Sequence, residues 1–420
     1  MGNEPGKILF SHPTGNTNVR ALLKLSAETH TLAAFITTIA IAQNAVWLNY
    51  LPDTIREELL RRTFPVDSRL IITHPLRELS RLLIPRLGFR THVQKPDSWA
   101  HINAVYIDLD RYTATYLRKS NIRNSIKAVY AYEDGAYETF VQAKKLGIEC
   151  IYELPIAYWH TVRNLLLAEA ERLPAWSITL KGGIYDSPEK LDRKTRELEM
   201  SDKIIVPSKF VADSLPKSAS ERSVLIAPFG SPLSPYSTKK RKISKKPDVA
   251  NQLRVLFAGS MSQRKGLGDL FEAMKILNGL EIELIVLGSL QAPMEFYRSQ
   301  YTDFNYQQGR THQGVLELMS NADIFCLPSI VEGRALVLQE AMSQGLPLII
   351  TPNTGGADLI IEGQTGFLVE AGNPEAIADR IKWFYENWEQ IDFMGINAKK
   401  HASNYTWTKY AASILTLIEA

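Results

Sequence analysis

Cysteine is nearly absent from this 420-residue chain, which contains only Cys150 and Cys326, each inside an apolar run. Two isolated cysteines cannot build a disulfide framework, so we expect a reducing, cytoplasmic compartment. An excess of one charge is also absent, and a net charge of +3 gives no argument for nucleic-acid binding. The first seven residues hold no apolar stretch, and position 6 is neither Ser nor Thr. We therefore expect neither a signal peptide nor a myristoyl anchor.

One long uncharged run is present, at residues 32–51. Its length approaches the ~20 residues that a membrane-spanning helix needs. However, polar side chains interrupt it at Thr37, Thr38, Gln43, Asn44 and Asn49. Because its first half is rich in β-branched residues, we interpret it as a buried strand, with a transmembrane helix as the alternative.

Short apolar runs alternate with helical patterns along the first half of the chain. The predicted strands are 7–10, 35–42, 104–107, 128–130, 149–152, 203–206 and 224–226. A helix is predicted over 19–29, so the chain opens as a βαβ unit. This alternation is typical of an open, mostly parallel α/β sheet covered on both faces.

The composition changes at residues 231–251, which are rich in Ser, Pro and Lys and include the basic run 239–246. We interpret this segment as an exposed linker and a domain boundary. A second alternation follows, with strands at 255–258, 283–287, 324–327 and 347–351. Two such halves leave a cleft between the carboxyl ends of their strands, where ligands bind in this architecture.

The segment 324–351 is the most informative one. An apolar strand ends at Pro328-Ser329, a turn carries Glu332, and a helical pattern containing Glu340 runs on to Gly345. A helix N-terminus aimed out of a parallel sheet offers free N–H groups and a positive dipole end to an anion. Carboxylates beside it accept hydrogen bonds from hydroxyls, so the combination suits a ligand carrying phosphate and sugar.

These residues carry a family resemblance. The chain resembles the glycosyltransferases of family 4 through the E-x7-E pattern at Glu332 and Glu340. Three further stretches are similar to that family in the same order, namely 255–266 with Lys265-Gly266, 321–329, and Thr354-Gly-Gly356 followed by 366–369. The resemblance covers about residues 250–375, and the N-terminal half resembles the family only loosely.

The resemblance implies the GT-B fold, in which two Rossmann-like doubly wound domains face an interdomain cleft. We assign residues 1–230 to an acceptor-side domain and 252–404 to a donor-binding domain, with a final helix at 405–420 packing back on the first. It also implies retaining, metal-independent transfer of a sugar from a nucleotide-diphosphate sugar, without a cofactor.

Breaking the anomeric bond leaves negative charge on the diphosphate, so cations and oriented N–H donors are needed near it. Lys265 and Arg264 follow a strand and the glycine turn at Gly259, where they can reach the cleft. The family usually has arginine at the position of Ser260, and Arg264 is the expected substitute. Lys265, Arg264 and Glu332 are therefore the predicted catalytic group.

The resemblance implies that Glu332 binds the hydroxyls of the donor sugar and that Glu340 binds the ribose of the nucleotide. It also implies that the backbone of Ala335, Leu336 and Val337 contacts the diphosphate. Eight residues of helix separate the two carboxylates by ~12 Å, which is too far for a glycosidase pair. Family members often carry an aromatic residue and a glycine at Arg334 and Ala335, so Arg334 is expected to contact an anionic group.

Candidates in the first half are weaker. The loop His12-Pro-Thr-Gly15-Asn16 follows the first strand and is expected to meet the acceptor or the donor phosphate, with an ordinary turn as the alternative. Glu133 follows another strand and Glu153 a third, and His160 lies beside Trp159. Glu153 and His160 stand nearest to the position where many family members have a histidine.

Three alternatives stay open. The first is a sugar-nucleotide epimerase of the same fold. The second is a non-catalytic protein, or a peripheral contact, on anionic membrane at the inner face, made by 239–246 and by Arg77, Arg81, Arg86 and Arg90. The third is a metal site at Asp108-x-Asp110, which the resemblance does not supply. Nucleic acid is not expected, because no aromatic residues interleave with the lysine run.

Overall fold

The computed structural model describes residues 6–42, 45–51, 56, 59–89, 93, 95, 98–119, 125–180, 182–219, 221–232 and 246–419. Most of the predicted linker, including Lys239–Lys242 and Lys245, lies outside these ranges, as does Arg90.

The first half of the chain forms a parallel sheet of seven strands in the order β3-β2-β1-β4-β5-β6-β7. Its strands are β1 Lys7–Ser11, β2 Leu32–Thr37, β3 Ile71–Thr73, β4 Ile126–Tyr132, β5 Glu149–Glu153, β6 Lys203–Val206 and β7 Ser223–Ile226. The central strands are buried along almost their whole length, because helices cover both faces of the sheet. The uncharged run near residue 32 is therefore a strand, although it begins and ends earlier than predicted.

The second half forms a parallel sheet of six strands in the order β10-β9-β8-β11-β12-β13. Its strands are β8 Leu253–Ala258, β9 Ile282–Leu287, β10 Asn305–Gln307, β11 Ile324–Leu327, β12 Leu348–Ile350 and β13 Gly366–Leu368. The four strands predicted here are present, and β11 has the predicted bounds. In both sheets the order reverses beside the first strand, which creates the crevice where ligands of such sheets bind.

The helices lie between the strands. We number them α1 Thr17–Glu28, α2 Leu76–Leu83, α3 Ile102–Lys119, α4 Tyr137–Lys145, α5 Trp159–Arg172, α6 Pro188–Met200, α7 Lys209–Asp213, α8 Leu267–Ile276, α9 Met294–Gln300, α10 His312–Ser320, α11 Leu336–Ser343, α12 Pro374–Glu386, α13 Gln390–Ala402 and α14 Trp407–Glu419. No helix within the described ranges combines the length and apolarity needed to cross a bilayer.

The predicted strand at 104–107 is wrong, because these residues lie inside helix α3. The buried positions of α3, among them Val105, Leu109, Thr113 and Leu117, recur every four residues. That spacing places them on one face of a helix, and it extends far beyond the four-residue run on which the prediction rested.

Helix α3 also separates the two carboxylates of the Asp108-x-Asp110 pattern. Asp108 lies 2.9 Å from His74 and 3.3 Å from Arg77. Asp110 is fully buried, where it accepts N–H bonds from Glu138 and Thr139 and pairs with Arg193 at 2.9 Å. The two side chains engage different partners, so the pattern does not act as a unit.

The last helix, α14, packs against α1 on the first sheet, with Ile414 and Leu415 in its core. Two lysines of that sheet cap the C-terminus of α14. Lys203 donates to the carbonyl of Leu417 at 2.8 Å, and Lys127 donates to that of Ile418 at 3.1 Å. Cations at this end of a helix also favour its dipole.

The two halves meet where the loops at the carboxyl ends of their strands touch. A methyl group added to Gly333 would lie 1.7 Å from the carbonyl oxygen of Pro155, so the backbones are in direct contact here. Ser208 donates a hydrogen bond of 2.6 Å to the carbonyl of Gly333. The two halves are thus in direct contact here, and two cavities include Pro155 or Ile156 in their linings.

Candidate active site at the domain cleft

Three of the predicted residues form one cluster in the second half of the chain. The Glu332 carboxylate lies 2.7 Å from both Lys265 Nζ and Arg264 Nη1. Burial lowers the pKa of Lys265, and the neighbouring Arg264 lowers it further, whereas Glu332 raises it. Burial therefore disfavours the charged form of Lys265, and a bound anion would stabilise that charged form.

The loop that presents Lys265 is tightly fixed. Gly266 has φ = 73°, and a methyl group on it would lie 2.0 Å from the carbonyl oxygen of Pro328. Gln263 is fully buried, where its side chain donates to Glu169 and Asp269 and accepts from the N–H of Gly268. Glu169 belongs to the first half of the chain, so this loop is tied to both domains.

The turn before this loop contains Gly259 and Ser260. The Gly259 N–H donates to the carbonyl of Leu287, and the side chain of Lys265 passes over Gly259. The hydroxyl of Ser260 lies 3.2 Å from that of Ser262. The cationic side chains of the loop are thus Arg264 and Lys265, at its far end.

Helix α11 begins beside this cluster. Its N-cap residue, Ala335, has no side chain that can cap it, and its first turn contains no acidic residue. The Ala335 N–H donates to the carbonyl of Thr354 at 3.1 Å, so it is already engaged. The N–H groups of Leu336 and Val337 are therefore the better candidates for an anion at this helix start.

Glu340 lies within α11, whereas Glu332 precedes this helix. The carboxylate of Glu340 is 3.6 Å from Nδ1 of His312, at the start of α10. Burial raises the pKa of Glu340, and His312 opposes the shift. The two glutamates thus have different neighbours.

The side chain of Arg334 does not face the cluster. It is fully buried, where it donates to Gln339, to the carbonyl of Gly355 and to Asp358 at 2.7 Å. Its guanidinium also lies 5.0 Å from the ring centroid of Tyr405. These contacts give it a role inside the second domain, and an anion from solvent would reach it only after rearrangement.

The His12 loop forms the opposite wall of the cleft. Nδ1 of His12 accepts the N–H groups of Thr14 and Gly15, at 3.1 and 2.7 Å. Burial, and then the charge of Arg62, lower the pKa of His12 to about 3. His12 is therefore neutral and shapes the turn that leads to Asn16, the N-cap residue of α1.

Glu153 lies at the end of β5, buried beneath this wall. Its carboxylate accepts from Asn18 and Tyr130, both at 2.6 Å, and from Tyr410 at 3.1 Å. Burial raises its pKa to about 7, although the three hydrogen bonds act in the opposite direction. The hydrogen bonds of this side chain thus connect β5 to α1, β4 and the last helix.

The remaining two candidates lie elsewhere. Glu133 is buried against Lys194 at 3.1 Å, and burial raises its pKa. Lys194, Trp159 and Arg264 line a cavity of about 290 Å³ on one side of the Pro155–Gly333 contact. His160 is exposed and bonded to Asn164, and it is not part of this lining.

A second cavity, of about 570 Å³, lies on the other side of that contact. Gly15, Asn16 and Leu336 line it together, so it joins the His12 loop to the start of α11. Its lining also includes residues that the sequence analysis missed, namely Asn18, Arg20, Arg61 and Arg62. A larger cavity of about 910 Å³, lined by Lys24, Asp67 and Thr73 among others, contains none of the predicted residues.

Comparison with known proteins finds a family similarity in the second half. Residues 238–401 match the family described as glycosyl transferases group 1. The match includes the cluster of Lys265, Arg264 and Glu332 as well as Glu340, whereas the His12 loop and Glu153 lie outside it.

Curated glycosyltransferases are similar to part of the chain. The D-inositol 3-phosphate glycosyltransferase of Paenarthrobacter aurescens (strain TC1) is 30% identical over 206 residues, which are 45% of this chain and 50% of the relative. The capsular polysaccharide biosynthesis glycosyltransferase CapM of Staphylococcus aureus is 27% identical over 165 residues, which are 38% and 42% of the two chains. The chain thus spans about half the length of these relatives.

Solved structures extend the similarity of fold to the whole chain. The Anabaena protein HepE, solved with UDP and glucose, has a TM-score of 0.61 and 15% identity over 99% of both chains. Sucrose-phosphate synthase from Thermosynechococcus elongatus has a TM-score of 0.60 and 16% identity over 98% of both chains. The two parallel sheets and their helices are therefore those of the GT-B fold, as expected from the sequence.

Proposed function

We propose that this protein is a retaining glycosyltransferase that moves a sugar from a nucleotide-diphosphate sugar to an acceptor without a metal ion. One observation carries the proposal: Lys265 and Arg264 converge on Glu332 beside the uncapped start of α11. Two cations, a helix N-terminus and a hydroxyl-binding carboxylate fit a diphosphate joined to a sugar.

The charge change of the reaction explains this arrangement. When the anomeric C–O bond breaks, both bonding electrons stay with the diphosphate, and negative charge grows there. Lys265, Arg264 and the N–H groups of Leu336 and Val337 would stabilise that charge, which is the role a metal ion has in other transferases. Since Lys265 already pairs with Glu332, donor binding would exchange part of this ion pair for contacts with phosphate.

The remaining roles follow from the same geometry. Glu332, freed from part of its ion pairing, would accept hydrogen bonds from hydroxyls of the donor sugar. Glu340, with its raised pKa, would bind the ribose. The acceptor hydroxyl would attack from the face that the diphosphate leaves and pass its proton to the departing diphosphate, which retains the anomeric configuration, as the family resemblance implies.

A panel of nucleotide sugars tests the proposal, because a ligand raises the melting temperature once its concentration exceeds Kd. HepE was solved with UDP and glucose, so UDP-sugars come first in the panel. We expect one donor to stabilise the protein and to be hydrolysed slowly without acceptor, with release of the nucleoside diphosphate. Interconversion of the donor sugar without that release would instead support the epimerase, and stabilisation by no member of the panel would refute the proposal.

A second proposal concerns peripheral membrane contact, which an exposed apolar surface on α2 and the 3-10 turn Ile84–Leu87 after it favours. Leu76, Leu79, Leu83 and Leu87 are 66, 40, 52 and 72% exposed. Of the arginines predicted to bind lipid, Arg77 pairs with Asp108, and Arg81 with the buried Glu78. Insertion of leucines would therefore contribute more than charge, and binding should depend only weakly on salt.

Co-sedimentation with anionic vesicles at two salt concentrations tests this contact. The variant Leu79→Glu/Leu83→Glu should stay in the supernatant at both concentrations. Leu167→Glu, at an equally exposed leucine of α5, should pellet like the wild type. If the wild-type protein does not pellet with lipid, the membrane proposal is refuted.

A further inference from the structure

The cavity of about 570 Å³ carries positive charge on its first-domain wall that the proposed donor site does not use. Arg20, on the first turn of α1, and Arg62, in the segment before β3, both line it. The donor diphosphate is assigned above to the opposite wall. The two arginines therefore need a separate explanation.

The described carboxylates that contact these arginines do not balance their charge. Arg62 donates to Glu78 at 2.6 Å, but Arg81 donates twice to the same carboxylate, at 2.6 and 2.8 Å. Arg20 bonds to the backbone carbonyl of Arg61 and lies 5.4 Å from the ring centroid of Phe64. Within the described residues, Glu78 is thus shared by Arg62 and Arg81, and Arg20 forms no ion pair.

Buried hydrogen-bond donors in the same place lack partners. Nη1 of Arg62, Nε of Arg20 and Nε2 of His12 are buried and bonded to no atom of the described chain. Arg62 is only 8% exposed. Because neutral His12 accepts through Nδ1, its Nε2 carries the proton. Each unpaired buried donor destabilises the structure, and an acceptor atom supplied by a ligand would remove that cost.

The start of α1 adds to this positive potential. Asn16, its N-cap residue, makes no side-chain cap bond, and the first turn contains no acidic residue. Residues 14–18 line the cavity, so the positive end of the α1 dipole faces it. The nearby Glu153 is occupied by Asn18, Tyr130 and Tyr410 and compensates little of this charge.

We infer that this wall binds an anionic group of the acceptor, a phosphate or a carboxylate, through Arg20 and Arg62 at the start of α1. The inference rests on the proposed function, since it names the class of acceptor for that reaction. Guanidinium groups bind both anions through paired N–H donors, so the shared chemistry is an oxyanion next to a sugar-like hydroxyl group.

The test measures stabilisation of the full-length protein by inorganic phosphate, glucose 6-phosphate, glucuronate and glucose, with and without saturating UDP. With UDP bound, we expect glucose 6-phosphate or glucuronate to bind at least ~10-fold more tightly than glucose. The phosphate and carboxylate arms distinguish the two kinds of anion.

Substitutions test whether Arg20 and Arg62 cause the preference for the charged sugars. Arg20→Gln should abolish the preference for the charged sugar and leave UDP affinity within about twofold of the wild type. Lys24→Gln, one turn further along α1 and 64% exposed, removes the same charge outside this cavity and should change neither. Arg62→Gln should act like Arg20→Gln. If it fails to fold because Glu78 loses a partner, Arg20→Gln alone decides.

The outcomes separate this inference from the proposed function. If UDP binds but the charged sugars bind no better than glucose, the anionic acceptor is refuted and the donor site stands. If Arg20→Gln weakens UDP as much as the charged sugar, the arginines belong to the donor, and the inference is refuted. If UDP does not bind but phosphate stabilises the protein through Arg20, the anion site stands and UDP is excluded as the donor nucleotide.

Discussion

The two walls of the cleft differ in how their residues are assembled. On the second-domain wall, Lys265 and Glu332 each follow a strand of one local strand–loop–helix unit, and the two units are neighbours in the sheet. On the first-domain wall, Glu153 is bonded to Asn18 and Tyr410, which lie 135 and 257 positions away in the chain. We call the second-domain wall the local wall, because local motifs build it. We call the first-domain wall the assembled wall, because it is built from distant segments.

This difference suggests a division of labour. The local wall holds the groups suited to a diphosphate sugar, and the family match covers it. The assembled wall holds arginines and a buried carboxylate whose arrangement depends on the whole first domain. We expect the local wall to set the chemical step, whereas the assembled wall sets the acceptor and the stability of the closed cleft.

The largest expected effect is on the local wall. Lys265→Ala should lower turnover by at least ~10-fold, since it removes a cation from the leaving diphosphate. Lys275→Ala, on helix α8 after the same loop and paired with Glu272 at the surface, should leave turnover unchanged. Donor hydrolysis without acceptor is the measurement. Wild-type turnover in Lys265→Ala would remove Lys265 from the proposed site.

A smaller effect is expected where the two walls touch. Gly333→Ala would place a methyl group 1.7 Å from the carbonyl oxygen of Pro155, so the loops must separate. We expect a stability loss of about 1–3 kcal/mol from the overpacked contact, together with a lower turnover. Gly309→Ala, where nothing lies within 4 Å, should be neutral in both assays. If the two variants melt alike, the contact does not stabilise the closed cleft.

The assembled wall should show a pH dependence. Burial raises the pKa of Glu153 to about 7, so the folded state holds a proton that the unfolded chain releases near pH 4.5. The stability that this group contributes is therefore present below about pH 4.5 and is lost as the pH rises through about 7.

Glu153→Gln stays neutral and should remove this loss, so its stability relative to the wild type should rise between pH 5 and pH 8. Glu171→Gln controls for the loss of one exposed carboxylate. Urea unfolding of the three proteins at both pH values is the measurement. A stability difference between Glu153→Gln and wild type that does not change with pH would contradict the prediction. Some slope should remain in the variant, because burial also raises the pKa of Glu197 to about 7.

The sequence predicted the local wall better than the assembled one, for a physical reason. Buried parallel strands are continuous apolar runs, and a motif that follows such a strand is placed by the strand itself. Lys265 and Glu332 could therefore be predicted to meet. The burial of Arg334 could not, because its partners Asp358 and Tyr405 are distant in the chain. Arg20 and Arg62 carried no local pattern, and the apolar run inside α3 was too short to reveal its period.

The smallest predicted effect isolates one bond between the walls. Ser208 caps helix α7 by accepting the N–H of Val211, and it also donates to the carbonyl of Gly333 at 2.6 Å. Ser187 caps α6 in the same way, and its side chain bonds to Lys190 and Glu189 of its own helix.

Both alanine variants lose a cap, at a cost of about 0.5–2 kcal/mol each. Ser208→Ala should cost about 1 kcal/mol more than Ser187→Ala, because it also leaves the Gly333 carbonyl without its partner from the first domain. Urea unfolding measures both costs. A donor nucleotide that closes the cleft should widen the difference between the variants, whereas equal losses with and without nucleotide would show that this bond does not report on closure.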